Sequence, residues 1–349
     1  MKRYSKPVGN LLAYKQDFFH SNDAKLDELT KVAEVYMAQP MRAACKNCAH
    51  PMGFFPDECF TKLDVAYAFC PHCGHCNGAH EDTAEFCRYL YTNNEGENYA
   101  RNYSAADIEQ YKKRVTEIYL PKAQFLREAL SEEGEPEARL TDFGAGAGYF
   151  VSAAKQCGFN KIKGYEPSET LASIGNEMLD EELLAQHDLD SIISLIEETD
   201  TNVVSFIGVL EHLQTPREAL RALSENEDIQ FVFLSVPLFS PSVVIEAVFQ
   251  DIMPRHLTAG HTHLYTEQSI QHFCDEFGFE RLSEWWFGLD IIDFSRSVWV
   301  SLKKQNTETS SLQEYWSECF MPIVDKLQSV LDEARQCSEV HILLGKKKN

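Results

Sequence analysis

Along this chain, stretches in which apolar residues return every three or four positions alternate with short runs in which they are nearly continuous, and the alternation predicts an α/β protein. Leu26, Leu29, Val32, Ala33 and Tyr36 share one face of a helix that Pro40 ends. Ile108, Tyr111, Val115, Ile118 and Tyr119 mark a long helical segment over 105–130, kinked or divided at Pro121. From about Ala138 the pattern turns strand-like at 140–143, 161–166, 202–207 and 231–237, with a shorter candidate at 183–186, and helical patterns fall between. The unbroken apolar run from Phe231 predicts a strand buried on both faces. A helix over 269–277 and two further strands, around 282–287 and 298–302, complete a count of seven. A final amphipathic helix over 312–334 carries Trp316, Phe320, Ile323, Leu327, Val330 and Leu331.

These elements divide the chain into an N-terminal module (1–80), a polar, tyrosine-bearing linker with a helical segment (81–137), an α/β core (138–304) and a C-terminal helical extension (305–349). The linker offers Tyr99 and Tyr103 as lid residues over a site in the core, or equally a solvated connection.

With 349 residues and 44 % hydrophobic content, the chain can bury an ordinary globular core. Its formal charge of −22 argues against a broad nucleic-acid surface, since such affinity rests on cations that neutralise phosphates. The N-terminus lacks the order of a signal peptide and no apolar run approaches membrane-spanning length, so a cytoplasmic protein without a membrane partner is expected. Eleven cysteines in that setting point to metal binding or buried packing, not disulfides.

The spacing settles four of them. Cys45-Lys46-Asn47-Cys48 and Cys70-Pro71-His72-Cys73-Gly74 are two Cys-x2-Cys knuckles separated by 21 residues. This is a zinc-ribbon signature, in which four thiolates close a tetrahedron around Zn²⁺ and leave no open position, so the metal is structural. Cys59, Cys76, His50, His72 and His75 then lie beside a complete site.

The chemistry of the core centres on Asp142-Phe143-Gly144-Ala145-Gly146-Ala147-Gly148. A strand, a turn free of bulk and a helix start are implied, with Gly144, Ala145 and Gly146 letting a ligand approach the main chain. A dinucleotide fingerprint would need glycine where Tyr149 stands. Glu166, 18 residues after Gly148, closes the next strand, where a carboxylate accepts hydrogen bonds from both ribose hydroxyls of a nucleoside; Pro167 follows it. Farther on, His256, His261 and His263 crowd one loop. His263 is the first candidate general base and His261 the second; the alternative for His263, and for Tyr265 as a substrate contact, is that they only fix the loop.

The Asp-x-Gly-x-Gly-x-Gly loop resembles motif I of the class I S-adenosylmethionine-dependent methyltransferases. The resemblance implies a polar adenine contact at Asp188. Val209-Leu210-Glu211-His212-Leu213 with Thr215-Pro216 is similar to the fourth-strand region of the methyltransferases that include the ubiquinone-biosynthesis enzymes, which implies that Ile207 touches the cofactor. Glu211 and His212 themselves read as structural, since adjacent residues entering a helix point apart. With the cysteine knuckles in front, residues 42–300 resemble the nucleotide-sugar C-methyltransferases. That family carries Tyr-His-Glu-His where this chain reads Gly260-His261-Thr262-His263, and it continues into a second Rossmann-like domain at about whose first strand this sequence stops.

The resemblance implies an α/β, Rossmann-like seven-strand methyltransferase core with an N-terminal zinc ribbon and a C-terminal helix. It further implies S-adenosylmethionine as methyl donor and O- or C-methylation of a small molecule, a sugar, nucleotide sugar or glycan precursor. A zinc-ribbon RNA or protein methyltransferase, and a catalytically silent scaffold that binds a partner, are the other readings.

Overall fold

The computed structural model describes residues 1–6, 21–91, 108–135, 137–305 and 310–347. In chain order it contains β1 (Lys2–Tyr4), α1 (Asn22–Met37), β2 (Phe60–Lys62), β3 (Val65–Phe69), β4 (Cys76–Gly78), α2 (Ala84–Tyr91), α3 (Ile108–Arg114), α4 (Leu120–Glu132), β5 (Arg139–Phe143), α5 (Tyr149–Gln156), β6 (Lys161–Glu166), α6 (Glu169–Leu179), β7 (Leu184–Gln186) and α7 (Ile192–Glu198). There follow β8 (Val203–Ile207), α8 (Pro216–Glu225), β9 (Phe231–Pro237), α9 (Pro241–Val248), β10 (His263–Leu264), α10 (Glu267–Phe277), β11 (Phe279–Phe287), α11 (Asp290–Gln305), α12 (Ser310–Phe320), α13 (Val324–Glu333) and β12 (Glu339–Lys346).

The large sheet has the order β1-β11-β12-β9-β8-β5-β6-β7. Strands β5 to β9 run parallel, β12 lies antiparallel between β9 and β11, and β1 adds a parallel edge to β11. Parallel neighbours need crossovers, and helices α5 to α8 supply them on both faces. One core, built on Phe125, Phe150 and Phe233, covers one face; the other, built on Phe143, Phe206 and Trp286, covers the second. The run at β9 is buried as its unbroken apolar sequence predicted.

Two expectations are corrected. Residues 298–302 are not a strand; they lie inside α11, whose helical bonds satisfy the backbone locally. The seventh strand of the core sheet is β12, made by Glu339 to Lys346. The C-terminal residues therefore complete the central sheet, and the helical segment before them is a connection. That segment is also two helices, because Pro322 opens a new turn after Phe320. At the other proline, Pro121, a wide turn over Val115–Tyr119 separates α3 from α4, and the missing N–H falls in α4's first turn, where no partner is needed.

The cysteine module forms a second sheet in the order β10-β4-β3-β2, and β10 comes from the core's histidine loop. A third apolar cluster joins Tyr36 of α1, Tyr67 of β3 and Phe86 of α2 to Val243, Leu257 and Leu264 of the core. Buried Lys62 donates to the carbonyls of Phe249, Gln250 and Ile252 at 2.8, 3.0 and 2.7 Å, just beyond the end of α9, where unsatisfied carbonyls gather. The module is thereby built into the loop that closes the core's site.

Candidate active site

At the C-terminal ends of β5, β6 and β8 the chain opens into a cavity of about 590 Å³. Its floor is the glycine turn. Gly144 and Gly146 adopt φ of +69° and +56°, which L side chains rarely take. A Cβ at Gly144 would stand 2.4 Å from Val209 Cγ2, whereas one at Gly146 would meet nothing within 4 Å. The first glycine is thus required by packing and the second by the space it leaves open.

Glu166 is buried beside this turn. Its two oxygens accept from the backbone N–H groups of Gly146 (2.8 Å) and Ser168 (3.0 Å), so one carboxylate ties the turn to the start of α6. Burial raises its pKa, and these two hydrogen bonds oppose the shift. Asp142 accepts from Ser205 Oγ at 2.7 Å. Burial pushes its pKa up to about 7, against the Ser205 hydrogen bond and with the neighbouring charge of Glu166.

Asp142, Gly144, Ala145, Gly146, Glu166, Pro167 and Ile207 all line the cavity. Asp188 does not; it lies in an adjoining groove, and His187 and Asp190 on either side of it face the cavity instead. His187 donates from Nδ1 to the Asp188 carbonyl at 2.8 Å, which turns the imidazole inward.

Residues 111–284 match the sequence model of a family described as "Methyltransferase domain", a span that contains the glycine turn, Glu166 and the whole cavity floor. The chain belongs to the class I S-adenosylmethionine-dependent methyltransferases. It is an enzyme, and S-adenosylmethionine is its methyl donor. Solved structures similar to this methyltransferase include magnesium protoporphyrin IX methyltransferase from Synechocystis PCC 6803 with bound SAH, at 12 % identity and a TM-score of 0.47 over 76 % of this chain and 100 % of that one. The plantazolicin methyltransferase BpumL in complex with SAH shows 11 % identity and a TM-score of 0.46 over 75 % and 94 %. The cyclopropane synthase MmaA2 from Mycobacterium tuberculosis shows 14 % identity and 0.42 over 66 % and 85 %. No curated protein sequence matches the chain.

The methyltransferase's histidine loop separates two residues that sequence placed together. His261 lines the cavity; His263 is fully buried and does not. His263 Nδ1 lies 2.8 Å from Nε2 of His75, whose Nδ1 is 3.2 Å from Ser269 Oγ. Burial, and then the nearby His75, hold His263 well below the ordinary histidine range. Its strand pairs with β4, and the imidazole lies against His75 of the cysteine module, away from the lining of the cavity. Tyr265 is likewise buried, edge-on to His75 and His263, and does not line the cavity. Tyr99 and Tyr103 lie outside the described residues.

Glu211 and His212, read from sequence as structural, line the cavity with His261. Residues Leu210–His212 form a single tight turn and not the start of a long helix, and Glu211 Oε1 lies 3.9 Å from His212 Nε2. Their adjacency at a strand end was the available signal. Burial pushes Glu211 up to about 8, opposed by a hydrogen bond from its own backbone N–H and by Lys122 and aided by Glu339. His261 is held down to about 4, chiefly by burial, and its Nδ1 donates to the His256 carbonyl at 3.0 Å. That bond fixes the tautomer and leaves Nε2 with its lone pair.

Away from the cavity, the sulfurs of Cys45, Cys48, Cys70 and Cys73 lie within 4.8 Å of one another. The Cys45–Cys73 and Cys48–Cys70 separations are both 3.6 Å, near the edge of about 3.8 Å that a tetrahedron with 2.3 Å zinc–sulfur bonds requires. The two knuckles repeat one backbone pattern: Ala49 N–H donates to Cys45 O, and Gly74 N–H to Cys70 O, both at 2.9 Å. Among the described residues no helix is long and apolar enough to cross a membrane.

Proposed function

We propose that this methyltransferase moves a methyl group to a hydroxyl of a small polyhydroxylated acceptor, a sugar, nucleotide sugar or glycan precursor, with His261 receiving the proton, and that Cys45, Cys48, Cys70 and Cys73 hold a structural zinc. The observation that carries the reading is the cavity itself, which runs from the glycine turn to an imidazole whose lone pair is fixed by the His256 carbonyl.

Bound S-adenosylmethionine supplies an activated methyl on its sulfonium. The protein's task is then alignment and exclusion of water, and well-aligned reactions gain on the order of 7–11 kcal/mol from positioning. Glu166, oriented by Gly146 and Ser168, holds the ribose; Gly146 leaves room for the amino-acid part; Ile207 covers the adenosyl group; His187 and Asp190 offer polar contacts at its rim. His261, neutral near pH 7 because burial keeps its pKa down, accepts the hydroxyl proton, which adds about 10²–10⁴-fold. Acid-rich walls at Asp190, Glu211, Glu218 and Glu339 suit neutral hydroxyls, and the chain's charge of −22 disfavours an RNA acceptor.

The test is methyl transfer from labelled S-adenosylmethionine to a panel of sugars and nucleotide sugars, with mass analysis of the product. A labelled methyl ether, lost in His261→Ala while cofactor binding persists, supports the reading. Label on protein or RNA and on none of the sugars sinks it.

A further inference from the structure

We propose that Glu211, His212 and His261 form a divalent-metal site at the acceptor end of the cavity, a two-histidine, one-carboxylate set whose open side faces the acceptor. This rests on the reading of the cavity given above and deepens it, since the cation would take over activation of the hydroxyl.

Three observations carry it. The first is convergence: one ligand atom from each residue lies within 4.8 Å of the others, and a cation at about 2.1 Å from each needs only small side-chain movements to draw them in. The two imidazoles, with centroids 4.9 Å apart and planes at 39°, are tilted and not stacked.

The second is the outer contacts. A metal-bound histidine characteristically gives its other ring nitrogen to an oxygen that fixes the ring. His261 Nδ1 has the His256 carbonyl at 3.0 Å, and His212 Nδ1 has the Tyr91 hydroxyl at 2.8 Å, so each ring is held through its Nδ1.

The third is an orphan. Glu211 is 3 % exposed, and its Oε2 has no hydrogen-bond partner among the described residues although it lines the cavity. A buried carboxylate oxygen left so is costly, and a cation offsets the cost. Lys122, which also lies near Glu211, has Glu339 at 3.8 Å. The buried group Glu246, His256 and Asp293 makes a useful contrast. There Glu246 already accepts from three backbone N–H groups and Asp293 from Arg255 and Ser242, so both acids have partners within the protein.

Imidazole and carboxylate in this ratio suit a first-row divalent ion such as Mn²⁺, Fe²⁺ or Co²⁺. With the acceptor oxygen on the open side, the cation lowers the hydroxyl's pKa and its proton leaves to solvent. The oxygen then attacks the methyl carbon, the O–C bond forms as the C–S bond breaks, and the electron pair stays on sulfur. His261 is a ligand in the loaded enzyme and a base only without the cation.

The test is titration of the full chain with Mn²⁺, leaving the cysteine cluster's metal in place, read by loss of the free-ion electron paramagnetic signal. Calorimetry with S-adenosylmethionine runs alongside. One Mn²⁺ per chain is expected, with affinity falling about 100-fold or more in Glu211→Gln and His261→Ala. Tyr91→Phe, which keeps every ligand and the cavity wall, is expected to weaken it about tenfold with cofactor binding intact. No uptake by the wild type, or uptake by Glu211→Gln equal to wild type, overturns the metal site even where cofactor binding is normal. Failure of the wild type to bind S-adenosylmethionine strikes the cavity reading instead.

Discussion

His75 and His263 meet at 2.8 Å across the seam between the cysteine module and the core, the former one residue past the second knuckle and the latter on the strand that pairs with it. Both are fully buried; one ring nitrogen of the pair donates and the other accepts, and His75 has a second contact with Ser269 Oγ. Removing one leaves a buried nitrogen unsatisfied, at a cost of about 1–3 kcal/mol. His263→Ala and His75→Ala should each lower stability to denaturant by that amount and should be non-additive when combined. Cofactor affinity should stay near wild type. Unchanged stability in both single variants would show the contact to be incidental.

Gly144 and Gly146 should fail differently on substitution. Gly144→Ala places a Cβ 2.4 Å from Val209 Cγ2 at a positive φ, and a falling melting temperature is expected with or without cofactor. Gly146→Ala meets nothing in the protein, so only the left-handed backbone penalty of about 1–2 kcal/mol applies to the fold. Its Cβ instead occupies cofactor space, and calorimetry should show S-adenosylmethionine affinity reduced roughly tenfold or more, beyond 1.4 kcal/mol. Equal affinity in Gly146→Ala and wild type would remove the turn from the cofactor's contacts.

Stripping metal from the cysteine cluster should act on turnover before it acts on cofactor binding. The cluster flanks β4, β4 pairs with β10, and β10 begins two residues after His261. The glycine turn and Glu166 lie on β5 and β6, which the module does not pair with. Elemental analysis should find one zinc per chain, and its removal should abolish methyl transfer while S-adenosylmethionine still binds. Turnover that survives full removal would show the loop to be held by the core alone.

His341 provides a pH readout away from both candidate metal sites. It is buried on β12 among Phe233, Trp285 and Phe287, and burial, reinforced by Lys122 and Lys6, keeps its pKa well below the ordinary value. The unfolded chain therefore takes up a proton below about pH 6.5 that the folded chain refuses. This contribution to stability is fully present above that pH and is lost as the pH falls, by at most about 1.4 kcal/mol per pH unit. Urea midpoints for wild type and His341→Leu should converge with increasing acidity, the variant losing less between pH 6.5 and 4.5. Parallel pH profiles would show that His341 is protonated in the folded chain.

Much of the cofactor half of the site was legible because its signals are local. Gly144, Gly146 and Glu166 sit within 23 residues of one another, and strand-turn-helix geometry forces them to one edge of the sheet. The acceptor half was not, because it is assembled from segments far apart in sequence. His261 and His263 look equivalent two residues apart, yet a strand turns alternate side chains toward the same face only if both lie in it, and β10 begins at His263. Glu211 and His212 both line the cavity from a turn that stops after three residues, which their own sequence does not announce.

The same division runs through the whole chain. Sequence by itself determined the two cysteine knuckles, the glycine turn, the acid at the end of β6 and the parallel strands, since each depends on residues in contact with their chain neighbours. Tertiary structure alone decided that the last strand is Glu339 to Lys346 and not 298–302, that the cysteine module shares a sheet with the histidine loop, and which histidine reaches the cavity. An apolar run such as 298–302 satisfies a helix or a strand equally until long-range pairing chooses. Here β12 fills the gap between β9 and β11, and the earlier run stays helical.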